Sequence, residues 1–177
     1  AAATNGYFIR SLYFDDMYNS AYYDKEAGVM ERSKYRIRIY NNSPKQIKLE
    51  KKTKIDSYIS KTSASISLDE FYNIINGDGS FLLYGDKPVM RDYYVAMRTK
   101  LLKPSVIVDY DRDVFICDEG NVRITFDKNL RAGVNSFDVF DPDLITVPAM
   151  DQRELIMEVK YDNFLPDHIR KLIQTSA

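Results

Sequence analysis

An α+β fold built on an antiparallel sheet is what this sequence predicts, on three observations. Strand-like segments dominate, and short turns join most neighbours, which favours antiparallel pairing. The few helical segments carry apolar stripes that need a sheet surface to pack on. The strands alternate, with aliphatic and aromatic residues on one face and Arg, Lys and Glu on the other. If helices cover the apolar face, the charged faces converge. A sheet of this many strands then curls into an antiparallel β-barrel with helices outside, which removes its edges.

The elements follow in order. Tyr7 to Phe14 is a strand by its aromatic and β-branched density. Met17 to Ala27 reads as a short helix or a folded loop, punctuated by Gly28. Lys34 to Tyr40 is a strand, Asn41-Asn42-Ser43-Pro44 a hairpin turn, and Gln46 to Lys52 the returning strand. Ile55-Asp56-Ser57 turns the chain into another strand, Tyr58 to Ile66. Ser67 with Glu70 three residues later is a capping-box signal for a short helix carrying Phe71, Ile74 and Ile75, ended near Gly77. Pro88 opens a second helix, with Tyr93, Tyr94, Met97 and Leu101 at helical spacing, which stops before Pro104. Strands follow at Val106 to Val114 and Val122 to Phe126, around an Asp118-Glu119-Gly120-Asn121 turn. Residues 133–151 read as a long loop, Glu154 to Tyr161 as the last strand, and Pro166 to Ile173 as a terminal helix.

Composition excludes several classes. At 177 residues the chain is one domain, and 45% hydrophobic with 29% charged residues is incompatible with disorder. No segment approaches the roughly 20 apolar residues of a membrane-spanning helix. A single cysteine, Cys117, excludes an intrachain disulfide and a cysteine-rich zinc site, and makes the cytoplasm the default compartment. Cys117 reads as a buried or half-buried strand-end residue. The single histidine, His168, reads as a solvated surface residue on the last helix and argues against His-based metal or acid–base chemistry. No glycine-rich phosphate loop is present. The 25 basic and 26 acidic residues nearly cancel, so any polyanion site must come from placement.

The placement is informative. Lys34, Arg36 and Arg38 oppose Tyr35, Ile37 and Ile39; Lys48, Glu50 and Lys52 oppose Ile47 and Leu49; Arg123, Thr125 and Asp127 oppose Val122, Ile124 and Phe126. Glu158 and Lys160 point away from Met157, Val159 and Tyr161, a face expected to be buried against helix. A sheet with one wet face explains any one of these strands. It does not explain their shared preference for Arg and Lys. Lys61 and Arg112 add to the cationic side, and Glu50, Asp127 and Glu158 are too few to neutralise it. Such a cavity needs an anionic occupant. Arg pairs bidentately with phosphate, and carboxylates among the cations hold Mg²⁺ or Mn²⁺ through oxygen. The compensating acids are expected in outer loops, at Asp15-Asp16, Asp109 to Asp113 and Asp138 to Asp143.

Five ordered segments carry a family resemblance: residues 11–15 (SLYFD), 34–38 (KYRIR), 49–52 (LEKK), 123–127 (RITFD) and 158–161 (EVKY). Together they resemble the polyphosphate polymerase domain of the vacuolar transporter chaperone (VTC) family, in its bacterial form. That family belongs to the triphosphate tunnel metalloenzymes. The resemblance covers nearly all of residues 1–177 as a single domain. It implies an eight-stranded tunnel barrel, a divalent metal (Mn²⁺ or Mg²⁺), ATP or another nucleoside triphosphate as donor, and inorganic polyphosphate as product. The family's first tunnel strand and a lysine-bearing segment after the terminal helix have no counterpart here. The expectation is a domain truncated at both ends, with an open tunnel wall.

Carried over residue by residue, the resemblance implies catalytic roles for Arg36, Arg38, Lys52 and Arg123. It implies substrate binding by Lys48, Lys61, Arg112 and Lys160, and metal binding by Glu158 with Glu50. Arg36, Arg38, Lys52, Lys61, Arg112, Arg123, Glu158 and Lys160 are expected to converge on one cavity. The expected activity is metal-dependent transfer of a terminal phosphoryl group to growing polyphosphate. The alternatives are a triphosphatase of the same fold and a polyanion-binding module without turnover. A nucleic-acid partner is not expected, because the basic residues lie opposite the helix-covered face.

Overall fold

A computed structural model describes residues 2–174. Eight strands form one antiparallel sheet: β1 (Ala2–Asp15), β2 (Glu31–Tyr40), β3 (Ser43–Ile55), β4 (Tyr58–Ile66), β5 (Lys103–Cys117), β6 (Val122–Val134), β7 (Ile145–Pro148) and β8 (Ile156–Lys160). Four α-helices accompany them: α1 (Ser20–Glu26), α2 (Leu68–Ile75), α3 (Pro88–Thr99) and α4 (Asp167–Ile173). A short 3-10 turn, Ser80–Tyr84, precedes α3. No helix among the described residues is long and apolar enough to cross a membrane.

Local chemistry sets the connections. Asn41 and Asn42 both have φ 51°, so the β2–β3 hairpin has a two-residue left-handed turn that asparagine tolerates. The capping box forms: Glu70 N donates to Ser67 Oγ (3.1 Å), and Ser67 N donates to Glu70 Oε2 (2.7 Å). Pro88 occupies the start of α3, where its missing N–H costs nothing. Gly120 (φ 71°) turns β5 into β6, and a Cβ there would stand 2.7 Å from Phe164 O.

The core lies on one face of the sheet. Leu12, Phe14, Tyr35, Ile37, Ile39 and Leu49 pack there against Phe71 and Ile74 of α2 and Val89, Met90 and Tyr93 of α3. Tyr93 contacts the rings of Phe14 and Tyr35, so it is a packing residue. The same face holds a buried ion pair: Arg10 grips Asp109 (2.8 and 2.9 Å) and donates to Val139 O (3.1 Å), tying the segment after β6 to the sheet. Asp109 to Asp113 therefore lie on β5 rather than in an outer loop, and Asp109 is buried.

One further expectation holds and two change. The sheet is not a closed barrel, so the wall is open as the resemblance implied, although strand number alone suggested closure. Its order is β4-β3-β2-β1-β5-β6-β7, and β8 also pairs β6, at Arg123–Asp127, below the Arg131–Val134 stretch that β7 takes. Two strands thus share one edge end to end, the sheet is seven strands wide, and no strand among the described residues joins β4 to β7 or β8. Residues 133–151 are not all loop, because β6 runs to Val134 and pairs β7. Gly133 stays within β6 as a close-approach position: a Cβ there would meet the Ile107 Cβ at 2.9 Å. The face of β8 opposite Glu158 is not buried against helix. Met157 is 40% and Tyr161 48% exposed, because α4 buries only Ile169 and β8 is an edge strand.

A cationic cleft on the open face

The other face of the sheet is built from the alternate residues of the same strands. Register aligns them in rows: Lys34, Lys52 and Lys61 across β2, β3 and β4; Arg36, Glu50 and Ser63 in the next; Arg38, Lys48 and Ser65 in the third. Glu50 is buried at the centre. Arg36 Nε donates to its Oε2 at 2.7 Å, Arg38 Nε lies 3.9 Å from the same oxygen, and Lys61 Nζ contacts Oε1. Burial alone would raise the Glu50 carboxyl, but Arg36, Lys61 and Arg38 outweigh it and hold it below the usual carboxylate value.

Tyrosine hydroxyls orient the arginines. Arg36 Nη1 donates to Tyr13 OH (3.0 Å), Arg38 Nη2 to Tyr110 OH (3.1 Å) and Arg123 Nη2 to Tyr7 OH (3.4 Å). Arg38 also reaches Ser11 Oγ at 3.4 Å. Arg112 lies over the Tyr110 ring and is held bidentately by Asp127 at 2.6 and 2.7 Å. Hydrogen bonding to Asp127 raises the Arg112 guanidinium above its ordinary value.

A cavity of about 470 Å³ opens over β2, β3 and β4. Lys25, Arg32, Lys34, Arg36, Lys52, Lys54 and Lys61 line it, with Tyr13, Ile59 and one carboxylate, Glu50. Lys25 arrives from α1, whose start is fixed by two carboxylates. Asp15 accepts from the backbone N–H of Ala21 and Tyr22, and Asp16 from those of Tyr18 and Ser20. Asp15, the acid of the SLYFD segment, is thus a helix-capping residue. Burial first, then the Lys25 charge, push the Lys34 ammonium below its usual value.

The predicted site residues divide into groups. Arg36, Glu50, Lys52 and Lys61 line the cavity, and buried Arg38 lies beside Glu50. Lys48 is in the next row, donating to Ser65 Oγ at 2.7 Å. Arg112, Arg123, Glu158 and Lys160 share the same sheet face but lie toward β6 and β8, outside the cavity lining. Arg123 pairs Lys160 in register, and Glu158 pairs Thr125. Lys160 Nζ is 3.4 Å from the Glu158 carboxylate. Among the described residues, no three His, Cys, Asp or Glu side chains gather as a metal cluster. Cys117 ends β5 half-buried, and His168 is exposed, 3.9 Å from Glu119.

Sequence reasoning missed the tyrosines, Lys25, and the paired Arg32 and Lys54, which alternation puts in phase with Lys34 and Lys52. Tyr13 follows Ser11 by two on β1, so alternation alone would have put it on the charged face. Lys25 carries no such signal, because its position depends on the Asp15 and Asp16 caps.

No curated protein sequence matches. Solved structures that match include HpAC1 from Hippeastrum, described by a dominant triphosphatase activity: 14% identity, 73% of this chain and 60% of that chain covered, TM-score 0.47. Another is the PH1819 protein of Pyrococcus horikoshii, with 13% identity, 97% and 72% coverage and TM-score 0.44. The chain thus spans 60% of the length of the Hippeastrum protein. The family profile of the VTC domain matches residues 2–177, which is nearly the whole sequence, and the chain therefore belongs to the VTC domain family.

Proposed function

We propose that this domain is a polyphosphate polymerase, transferring the terminal phosphoryl group of a nucleoside triphosphate such as ATP to growing inorganic polyphosphate. One observation carries the reading. Among the described residues, seven cationic side chains line the cleft against one carboxylate, Glu50, whose oxygens are already engaged by Arg36 and Lys61. That excess of positive charge suits a run of phosphates.

In this reading Arg36 and Arg38 present planar forks to phosphate oxygens, aimed by Tyr13 and Tyr110. Lys48, Lys52 and Lys61 neutralise the chain beside them, and Arg112, Arg123 and Lys160 extend the cationic face toward β6 and β8. Catalysis is positioning plus electrostatic stabilisation, with no covalent protein intermediate. The acceptor phosphate is already anionic and needs no strong base.

The family resemblance implies a divalent ion. Mg²⁺-type ions bind through one or two carboxylates plus substrate phosphates. Glu158 fits that donor set, since its carboxylate is half-exposed and partnered by Lys160 at 3.4 Å. At Glu50 an ion would have to displace a cation, so its part is chiefly that of counter-ion. When bound, the metal supplies charge neutralisation on phosphate oxygens.

Incubation with ATP and Mn²⁺, resolved on a gel, tests the proposal: a ladder of long polyphosphate is expected. Phosphate release without polymer would make the domain a triphosphatase. The open sheet favours a second reading, a polyanion-binding module. Tight, salt-sensitive polyphosphate binding without ATP consumption would select it.

A further inference from the structure

Thr125 lies on β6, between Val114 of β5 and Glu158 of β8 in register. It is 3% exposed, and its Oγ1 has no hydrogen-bond partner among the described residues. Buried hydroxyls are nearly always paired, and an exception calls for a cause. Strand propensity is not a sufficient cause, because valine has the same shape and leaves no polar atom unpaired.

The neighbours supply one. The side chain of Val114 has no oxygen to offer. Directly opposed residues in an antiparallel pair have Cβ atoms about 4.5–5.5 Å apart, which puts the Thr125 hydroxyl within reach of the Glu158 side chain. In this structure the carboxylate leans instead to Lys160, two residues along on the same face. Lys160 is itself opposite Arg123, a pair of like charges in one row. A phosphate bridging Arg123 and Lys160 relieves that repulsion and takes Lys160 away from Glu158.

We propose that Thr125 is a positioning residue for Glu158: its hydroxyl is the donor that receives the Glu158 carboxylate once bound phosphate engages Lys160. The inference rests on the phosphate-binding reading of this face. The unpaired hydroxyl of the ligand-free fold is the socket, and loading the face fills it. Glu158 is then fixed with one oxygen held and the other turned to the ligand.

The test uses the full chain, tripolyphosphate and Mn²⁺. Three quantities are measured: ligand-free melting temperature, tripolyphosphate affinity by calorimetry, and the ratio of affinities with and without Mn²⁺. Thr125→Val should melt no lower than the wild type, since it removes only an unpaired group. Its Mn²⁺-dependent gain in affinity should fall about 10–100-fold, the usual loss when a residue that orients a metal ligand is removed. Thr125→Ser should restore the gain. Glu158→Gln should abolish it, and adding Thr125→Val to Glu158→Gln should change nothing more. An undiminished gain in Thr125→Val overturns the proposal, as does additivity in the double variant. A lower ligand-free melting temperature in Thr125→Val also overturns it, by showing the hydroxyl already bonded. A wild type that binds no tripolyphosphate overturns the phosphate reading itself, a different and recognisable result.

Discussion

Lys34 and Lys52 stand directly opposite each other across the β2–β3 ladder, and Lys61 continues the row on β4. Like charges so placed weaken a ladder by on the order of 0.2–1 kcal/mol per pair. Replacing the central lysine, Lys52→Gln, should therefore raise ligand-free stability by about that amount. The same change should weaken tripolyphosphate binding at low salt. Urea unfolding and calorimetry read the two signs, and a variant that loses both stability and affinity would contradict the arrangement.

Lys34 gives the cleft a pH dependence. Its ammonium is held below the ordinary lysine value by burial and by Lys25. Folding therefore disfavours its proton, and stability rises with pH between its lowered value and the unfolded 10.5. A bound polyanion reverses the bias, so binding takes up a proton in that alkaline window and affinity falls as pH rises through it. Calorimetry in buffers of different ionisation enthalpy should show that uptake, and Lys34→Gln should remove it.

Glu50 works in the opposite direction. Its folded carboxyl lies below the ordinary 4.5, so its contribution is complete above that value and is lost as pH falls through the lowered one. Glu50→Gln leaves Arg36 and Arg38 without a carboxylate, and should cost about 3–5 kcal/mol of stability, as for a broken buried pair. Acid titration of the melting temperature should show a shallower fall in the variant. A stable, fully folded Glu50→Gln would show that Glu50 is no counter-ion.

Arg10 and Asp109 provide the control. They form a buried pair on the helix-covered face, away from the cleft. Asp109→Asn should lower stability by about 3–5 kcal/mol. Tripolyphosphate affinity, measured below the melting transition, should stay within about twofold of the wild type, since sites without shared partners act independently. A large affinity loss would mean that the two faces are coupled.

The first half of the chain was readable because its signals are local. Period-2 alternation in β2 and β3, the Asn41-Asn42 turn and the Ser67/Glu70 capping box each act within a few residues. Alternation also put Arg36, Arg38, Glu50 and Lys52 on one face. It cannot say whether the two edges of a sheet meet, and here they do not. Nor does it reveal what covers an apolar face, so Met157 and Tyr161 were expected under a helix that lies elsewhere. Residues 133–151 read as a loop because the places of Gly133 in β6 and Pro148 in β7 depend on a neighbour, Ile107, and on an edge. Arg10 did carry a signal: it falls in phase with Leu12 and Phe14, where a cation demands a buried partner.

Because no strand among the described residues joins β4 to β7 or β8, the cationic face is a trough and not a bore. A polymer need not be threaded into a trough by its end. It can be laid in from the side, at any point along its length, and lifted out the same way. On the proposed reading, ring-shaped phosphates, which have no end at all, should bind on the same terms as linear ones.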